Sequence, residues 1–280
     1  MNSALKRSVK TILKSSIEED KTFFDITSKS LLDSSPLKCE LLFKENGILC
    51  GTKIIEYAIK SFNKKINISW DFNEGDYIKN RNKVGTIVGP ANLVLSFERI
   101  LLNFLQKTCG IATTTFHLSK AIKNKKIKLL DTRKTTPGWR LIEKYCVVIG
   151  GGENHRMNLS ELILIKDNHI LACGNLSSAM TKIIKKGIKA PIEVEVKFLN
   201  QVEQALKFKI KRIMLDNFSI SNIKKAILMI RKSPGVEIEV SGGIDKIKIK
   251  NISHLDIDYI SVGALTHSSP SIDISMNVLK

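Results

Sequence analysis

Several things that would fix a protein class are missing from this 280-residue chain. No apolar run approaches the roughly 18 residues a membrane-spanning helix requires, so no membrane span is expected. Cysteine is sparse. Cys39, Cys50, Cys109, Cys146 and Cys173 form no CxxC pair and mostly sit among apolar neighbours, which predicts buried, reduced thiols rather than a disulfide frame. The histidines show no HExxH or His/Cys spacing, so a structural zinc site is not expected. No GxxxxGK[ST] stretch is present to cradle ATP phosphates. Repeats and Pro- or Ser-rich linkers are absent too. Acidic residues are in deficit, 27 against 45 Lys and Arg, for a net charge of +18. That surplus admits nucleic acid, an anionic surface or anionic substrates. The lysines are spread over the whole chain, however, and the charge alone selects none of these.

Residues 1–20 alternate Lys with apolar positions and predict an amphipathic helix. They lack the apolar core of a secretion signal. Glu18, Glu19 and Asp20 follow too soon for a long acid-poor transit leader, so a cytoplasmic location is expected.

Up to about Gly110, short helix and strand signals mix. Cys39–Phe43 reads as a strand. Gly47–Cys50 reads as a strand leading into a helix marked by Ile54, Ile55, Ala58 and Ile59. Gly75, Gly85 and Gly89 predict tight turns. Asn92 is a candidate N-cap for a helix through Thr108, whose apolar face is Leu93, Phe97, Ile100, Leu101, Phe104 and Leu105. Arg99, Asn103 and Gln106 fall on a separate polar line of that helix.

From Lys125 the pattern becomes regular. Apolar strands are expected at 127–131, 162–166, 192–196, 212–216, 236–241 and 258–262, mostly separated by helices. Such alternation predicts a parallel sheet, and this number of units favours a barrel over an open sheet. Asp131, Lys166, Glu195, Asp216 and Ser241 all lie at strand C-terminal ends, where a parallel barrel builds its active site. Each alone would read as a rim salt bridge; five at one end favour a site.

Three constellations carry chemistry. DTRKTTPGWR (131–140) sets Arg133 and Lys134 just past a strand end as an anion clamp. GGGENHR (150–156) brings His155 and Arg156 after three glycines. SGGI (241–244), with Ser241, Gly242 and Gly243, and SVGAL (261–265), with Gly263, follow the last two strands and offer free amides to a phosphate. The cations outnumber Glu195, Asp216 and Asp131, which suits a polyanionic substrate with a divalent metal. Glu195 and Asp216 are hard oxygen ligands fit for Mg²⁺ bridging phosphates.

The runs DTRKTTPGWRLIEKY, GGGENHR and LIKDNHI resemble quinolinate phosphoribosyltransferase. The likeness continues through EEDKTFFDITS (18–28), SFERILLNFLQKTCGIAT (96–113), IEVEV, MLDNF (214–218), VSGGI and ISVGALTHS. The resemblance implies an α/β protein: an N-terminal α/β sandwich over 1–110, joined by 268–280, and an incomplete TIM-like α/β barrel over 111–267. It implies a homodimer, with higher oligomers open, and no specific nucleic acid partner. The implied reaction transfers phosphoribosyl from phosphoribosyl pyrophosphate to quinolinate with Mg²⁺, giving nicotinate mononucleotide, CO2 and pyrophosphate in NAD biosynthesis. Arg133, Arg156 and Arg99, the last from the partner subunit, match carboxylate-binding positions. Lys134, His155 and Lys166 match residues between the two substrates. Glu195 and Asp216 match positions near the ribose hydroxyls and Mg²⁺. Ser241, Gly242, Gly243 and Gly263 match the phosphate turns. Cys109, Asn158 and Phe24 depart from the usual pattern, all outside the charged set. Two other readings stay open: a basic nucleic-acid-binding protein, disfavoured by aromatics of only 6%, and a non-catalytic sensor, disfavoured by the complete charged set.

Overall fold

The computed structural model describes residues 1–279. The chain divides into two compact units. The first comprises Met1–Phe116, Lys134–Gly151 and Ala264–Lys280, and the second comprises His117–Arg133 and Gly152–Gly263. Residues 134–151, which the sequence reading put in the second domain, cluster with the first unit.

Four strands of the first unit form an antiparallel sheet: β1 (Pro36–Phe43), β3 (Asn67–Trp70), β5 (Lys83–Pro90) and, from the far end of the chain, β12 (Ile274–Val278). Their order is β12-β1-β5-β3. Alternation in β1 buries Cys39, Leu41 and Phe43 on one face, as period-two patterning requires. The short β2 (Gly47–Ile48) and β4 (Tyr77–Ile78) pair antiparallel beside it. The helices here are α1 (Ser3–Glu19), α2 (Ile26–Leu31), α3 (Thr52–Phe62), α5 (Arg140–Ile149) and α11 (Ala264–His267), with most of α4 (Ala91–Ala121). Asn2 caps α1 by accepting the Leu5 N–H at 2.9 Å, and Leu5, Val9 and Leu13 form its buried stripe.

Three expectations fail in this unit. Gly85 and Gly89 are not turns: both lie inside β5, where a glycine lets a neighbouring chain close in, and a Cβ on Gly89 would meet Ile66 and Val94 at 3.0–3.1 Å. Asn92 is not the N-cap, since α4 already begins at Ala91; its Oδ1 accepts the adjacent Leu93 N–H instead. The helix also continues thirteen residues past Thr108, to Ala121. Gly110 does not end it. It sits in the helix because the Pro270 carbonyl lies where a Cβ would stand.

The second unit is a six-stranded parallel sheet of β6 (Lys128–Leu130), β7 (Ile163–Ile165), β8 (Ile192–Val196), β9 (Arg212–Asp216), β10 (Glu237–Ser241) and β11 (Tyr259–Ser261). The spatial order is β6-β11-β10-β9-β8-β7. Consecutive strands from β7 onward are neighbours, joined by helices α6 (Asp167–Ala172), α7 (Leu176–Lys185), α8 (Leu199–Ala205), α9 (Ile220–Ile230) and α10 (Lys246–Ile252). Among the described residues β6 and β7 stay unpaired with each other, so this is the incomplete α/β barrel expected. In α9 the stripe Ile223, Ala226, Ile227 and Ile230 is buried, and Gly235 turns at φ 85° beyond its end.

Candidate active site

Parallel strands bring their C-terminal ends to one edge of the sheet, and six candidate residues follow from that alone. Glu195 is the penultimate residue of β8, Asp216 ends β9 and Ser241 ends β10. Gly263 lies two residues past β11, Arg133 three past β6, and Lys166 directly follows β7. Ile165 pairs with Val194, so the next residues, Lys166 and Glu195, stand side by side. Lys166 Nζ donates to Glu195 Oε2 at 2.7 Å. The Lys166 backbone N–H donates to His169 Nδ1 at 3.0 Å, which fixes the start of α6 and explains the KDNH run.

Ser241 pairs with Asp216, and the backbone N–H of Asn217 donates to the Ser241 carbonyl at 3.0 Å. Gly242 follows at φ 84°. A Cβ there would lie 2.7 Å from the Asn217 nitrogen, so the turn admits only glycine. Lys248 Nζ reaches back to the Gly242 carbonyl at 2.7 Å; burial pulls this ammonium below its usual range, and the nearby charges of Asp216 and Asp245 oppose the shift. Lys197, bound at 2.7 Å to Asp167, is a second cation in the field of Asp216.

Arg156 is half-buried, and Nη1 donates to the Leu162 carbonyl at 2.9 Å. Burial lowers its guanidinium below the usual range, and the charge of Arg133 lowers it further. Two guanidinium groups thus lie within each other's field near a strand edge that also carries Lys166.

His155 does not lie open among these cations as the sequence reading placed it. It is buried, and its backbone N–H donates to Asp131 Oδ1 at 2.9 Å. Its Nε2 is 3.2 Å from Glu193 Oε2 and 3.5 Å from Glu239 Oε2. Arg212 Nη1 donates to Glu239 Oε2 at 2.8 Å and lies 3.9 Å from Glu193. Burial, then the like charge of Glu239, pushes Glu193 up to about 7. The His155 and glutamate ligand atoms lie within 4.8 Å of one another, a spacing a cation could bridge. Arg212 already supplies that cation, so this is a closed charge cluster. Glu193, Arg212 and Glu239 were missed by the sequence reading. The signal was present: IEVEV and VEIEV each repeat Glu at a spacing of two, which puts both carboxylates of a strand on one face.

Two candidates belong to the first unit. Arg99 is exposed on α4 and lines a cavity with Asn103, Phe104, Trp139, Glu19 and Asp20. Lys134 is exposed, and its carbonyl accepts the Thr266 hydroxyl at 2.6 Å. Of the three departures from the family pattern, Phe24 is exposed, Asn158 accepts from Ser160, and Cys109 is buried with Sγ accepting the Cys50 N–H at 3.3 Å.

A parallel α/β barrel with arginines, a lysine–glutamate pair and a glycine turn at its strand C-termini defines an enzyme that binds a small polyanion. Known proteins narrow this further. The family model described as "Quinolinate phosphoribosyl transferase, C-terminal domain" matches residues 111–277, and the corresponding N-terminal domain model matches residues 25–109. A probable nicotinate-nucleotide pyrophosphorylase (carboxylating) of Bacillus subtilis is 35% identical over 96% of this chain and 93% of its own length. The solved nicotinate-nucleotide pyrophosphorylase of Francisella tularensis superposes with a TM-score of 0.91 at 38% identity, covering 98% of this chain and 97% of that one. NadC from Streptococcus pyogenes gives 0.90 at 37% identity, covering 97% of both chains. The chain belongs to the quinolinate phosphoribosyltransferase family. No helix among the described residues is long and apolar enough to cross a membrane.

Proposed function

We propose that this enzyme transfers phosphoribosyl from phosphoribosyl pyrophosphate to quinolinate and decarboxylates the product to nicotinate mononucleotide, a step of NAD biosynthesis. The observation that carries this reading is the placing of Arg133, Lys166, Glu195 and the Ser241–Gly243 turn at the strand C-terminal edge, with Arg156 in the field of the Arg133 charge. A diacid fits two guanidinium forks, and a sugar pyrophosphate fits an ammonium with free amides.

In this reading Arg133 and Arg156 hold the quinolinate carboxylates. Lys134, next in the chain to Arg133, and Lys166 stand between the acid and the sugar pyrophosphate. Ser241, Gly242, Gly243 and Gly263 hold phosphate oxygens. The pyridine nitrogen attacks the anomeric carbon through an oxocarbenium-like state as pyrophosphate departs. The ring carboxylate beside the new pyridinium then leaves as CO2. The chain's contribution is alignment and electrostatic stabilisation, and no enzyme nucleophile is required.

Glu195 and Asp216 are carboxylates at adjacent strand ends, the donor type that holds Mg²⁺ through one or two protein ligands plus substrate phosphate. When bound, Mg²⁺ would neutralise the departing pyrophosphate. Lys166 would share Glu195 with it. We further propose a homodimer in which the exposed Arg99 of one subunit serves the partner's site. Cytoplasmic placement accords with five free cysteines, four of them buried.

Purified protein given quinolinate, phosphoribosyl pyrophosphate and Mg²⁺ should release CO2 and nicotinate mononucleotide. Turnover with nicotinate but not quinolinate would overturn the substrate assignment.

A further inference from the structure

We infer that Glu193, Glu239 and Arg212 are positioning residues for this reaction: they clamp the His155 ring inside the barrel, and the ring fixes the backbone of Arg156. The inference rests on the proposed role of Arg156 in holding a quinolinate carboxylate.

Both ring nitrogens of His155 face polar groups of the second unit. On one side Nε2 faces the Glu193 and Glu239 carboxylates at 3.2 and 3.5 Å. On the other, Nδ1 accepts the backbone N–H of Arg156 at 2.8 Å. The residue's own N–H is held by Asp131 at 2.9 Å. His155 is therefore a bridge from the barrel interior to the start of the Arg156 side chain.

The clamp is itself held by further contacts. Arg212 lies over the Tyr259 ring at 3.8 Å, donates from Nε to Glu237 Oε2 at 3.1 Å, and holds Glu239 at 2.8 Å. Glu193 and Glu239 are fully buried, on β8 and β10, with Arg212 on the strand between them. A parallel barrel normally fills these inward positions with Val, Ile and Leu. Burying four ionisable groups costs stability relative to apolar side chains, and fixing one conformation is the best-attested use of such a cluster.

The proton on His155 is set by two opposed influences. Burial disfavours a charged ring, while the facing Glu193 and Glu239 carboxylates push the other way. A second proton on Nδ1 would meet the Arg156 N–H head-on, however. That backbone donor cannot reverse its polarity, so the tether keeps Nδ1 bare and the proton on Nε2.

The test uses full-length protein with ring-¹⁵N histidine. At pH 7 the buried ring should show a protonated Nε2 and a bare Nδ1, unchanged when quinolinate is added. A doubly protonated ring, or one whose shifts follow quinolinate, would overturn the clamp in favour of direct contact. A second arm uses the paired variant Arg212→Met with Glu239→Gln, which removes cation and anion together and leaves neither buried alone. Its KM for quinolinate should rise on the order of 10-fold or more while the KM for phosphoribosyl pyrophosphate moves less than about twofold, the mark of one displaced ligand group. A folded paired variant with unaltered quinolinate KM would refute the inference. If it fails to fold, the ring signals decide. Failure of the functional reading looks different: the wild type would not turn over quinolinate, whatever the state of the ring.

Discussion

Lys166 Nζ and Glu195 Oε2 lie 2.7 Å apart across the paired strands β7 and β8. The lysine side chain is 44% exposed and the glutamate 10%, so one partner is solvated and the other is not. Replacing Lys166 with Met should cost little stability, at most about 1 kcal/mol for such a half-open pair. Catalytic efficiency should fall roughly 10²-fold or more if, as proposed, this charge serves the departing pyrophosphate. Steady-state kinetics and thermal melts on one preparation check both halves. Near-normal turnover would mean that the pair is only a rim contact.

Arg133 and Arg156 make the opposite case. Arg133 depresses the Arg156 guanidinium, so the two cations destabilise each other in the free protein. Arg133→Ala should relieve that repulsion on Arg156, yet reduce kcat/KM for quinolinate by on the order of 10²-fold. A loss of stability alongside lost activity would indicate a structural arginine instead.

Asp25 supplies a pH-dependent contact. Its Oδ1 caps α2 by accepting the Ser28 N–H at 3.0 Å, and its Oδ2 accepts the Ser96 hydroxyl at 2.8 Å. Hydrogen bonds from Ser28 and Ser96 lower it from 3.8 to about 2. A depressed carboxylate stabilises the fold above its unfolded value and loses that contribution as pH falls through the folded one. Urea unfolding should therefore weaken between pH 4 and 2 in the wild type. Asp25→Asn, which still caps but cannot ionise, should show a shallower decline over the same window. Parallel declines would remove Asp25 from the account.

Gly110 is the most constrained position of α4. Any Cβ there would overlap the Pro270 carbonyl oxygen, a backbone atom with no rotamer to escape into. Gly110→Ala should destabilise by about 1–3 kcal/mol despite the higher helix propensity of alanine. Chemical denaturation measures it, and a stabilised variant would contradict the packing described.

Local pattern carried a good deal of this structure. The apolar stretch Cys39–Phe43 foretold most of β1, the Ile54–Ile59 stripe foretold α3, and the alternation after Lys125 foretold the parallel sheet. The motifs placed Lys166, Glu195, Asp216 and Ser241 at strand ends because strand direction alone does that. The errors share a cause. Gly85 and Gly89 read as turns, and the helix from Asn92 as ending short of Gly110, since glycine is locally a breaker. In the fold each one marks a close approach by a residue distant in sequence.

What the sequence determined by itself was the order of elements, the family and the chemical types gathered at the strand ends, because hydrophobic period and motif spacing are local quantities. What only the tertiary structure decided was which charges meet. Glu193, Arg212 and Glu239 are 19 and 27 residues apart along the chain but share one interior through the register of β8, β9 and β10. That closure turned His155 inward, onto Glu193 and Glu239.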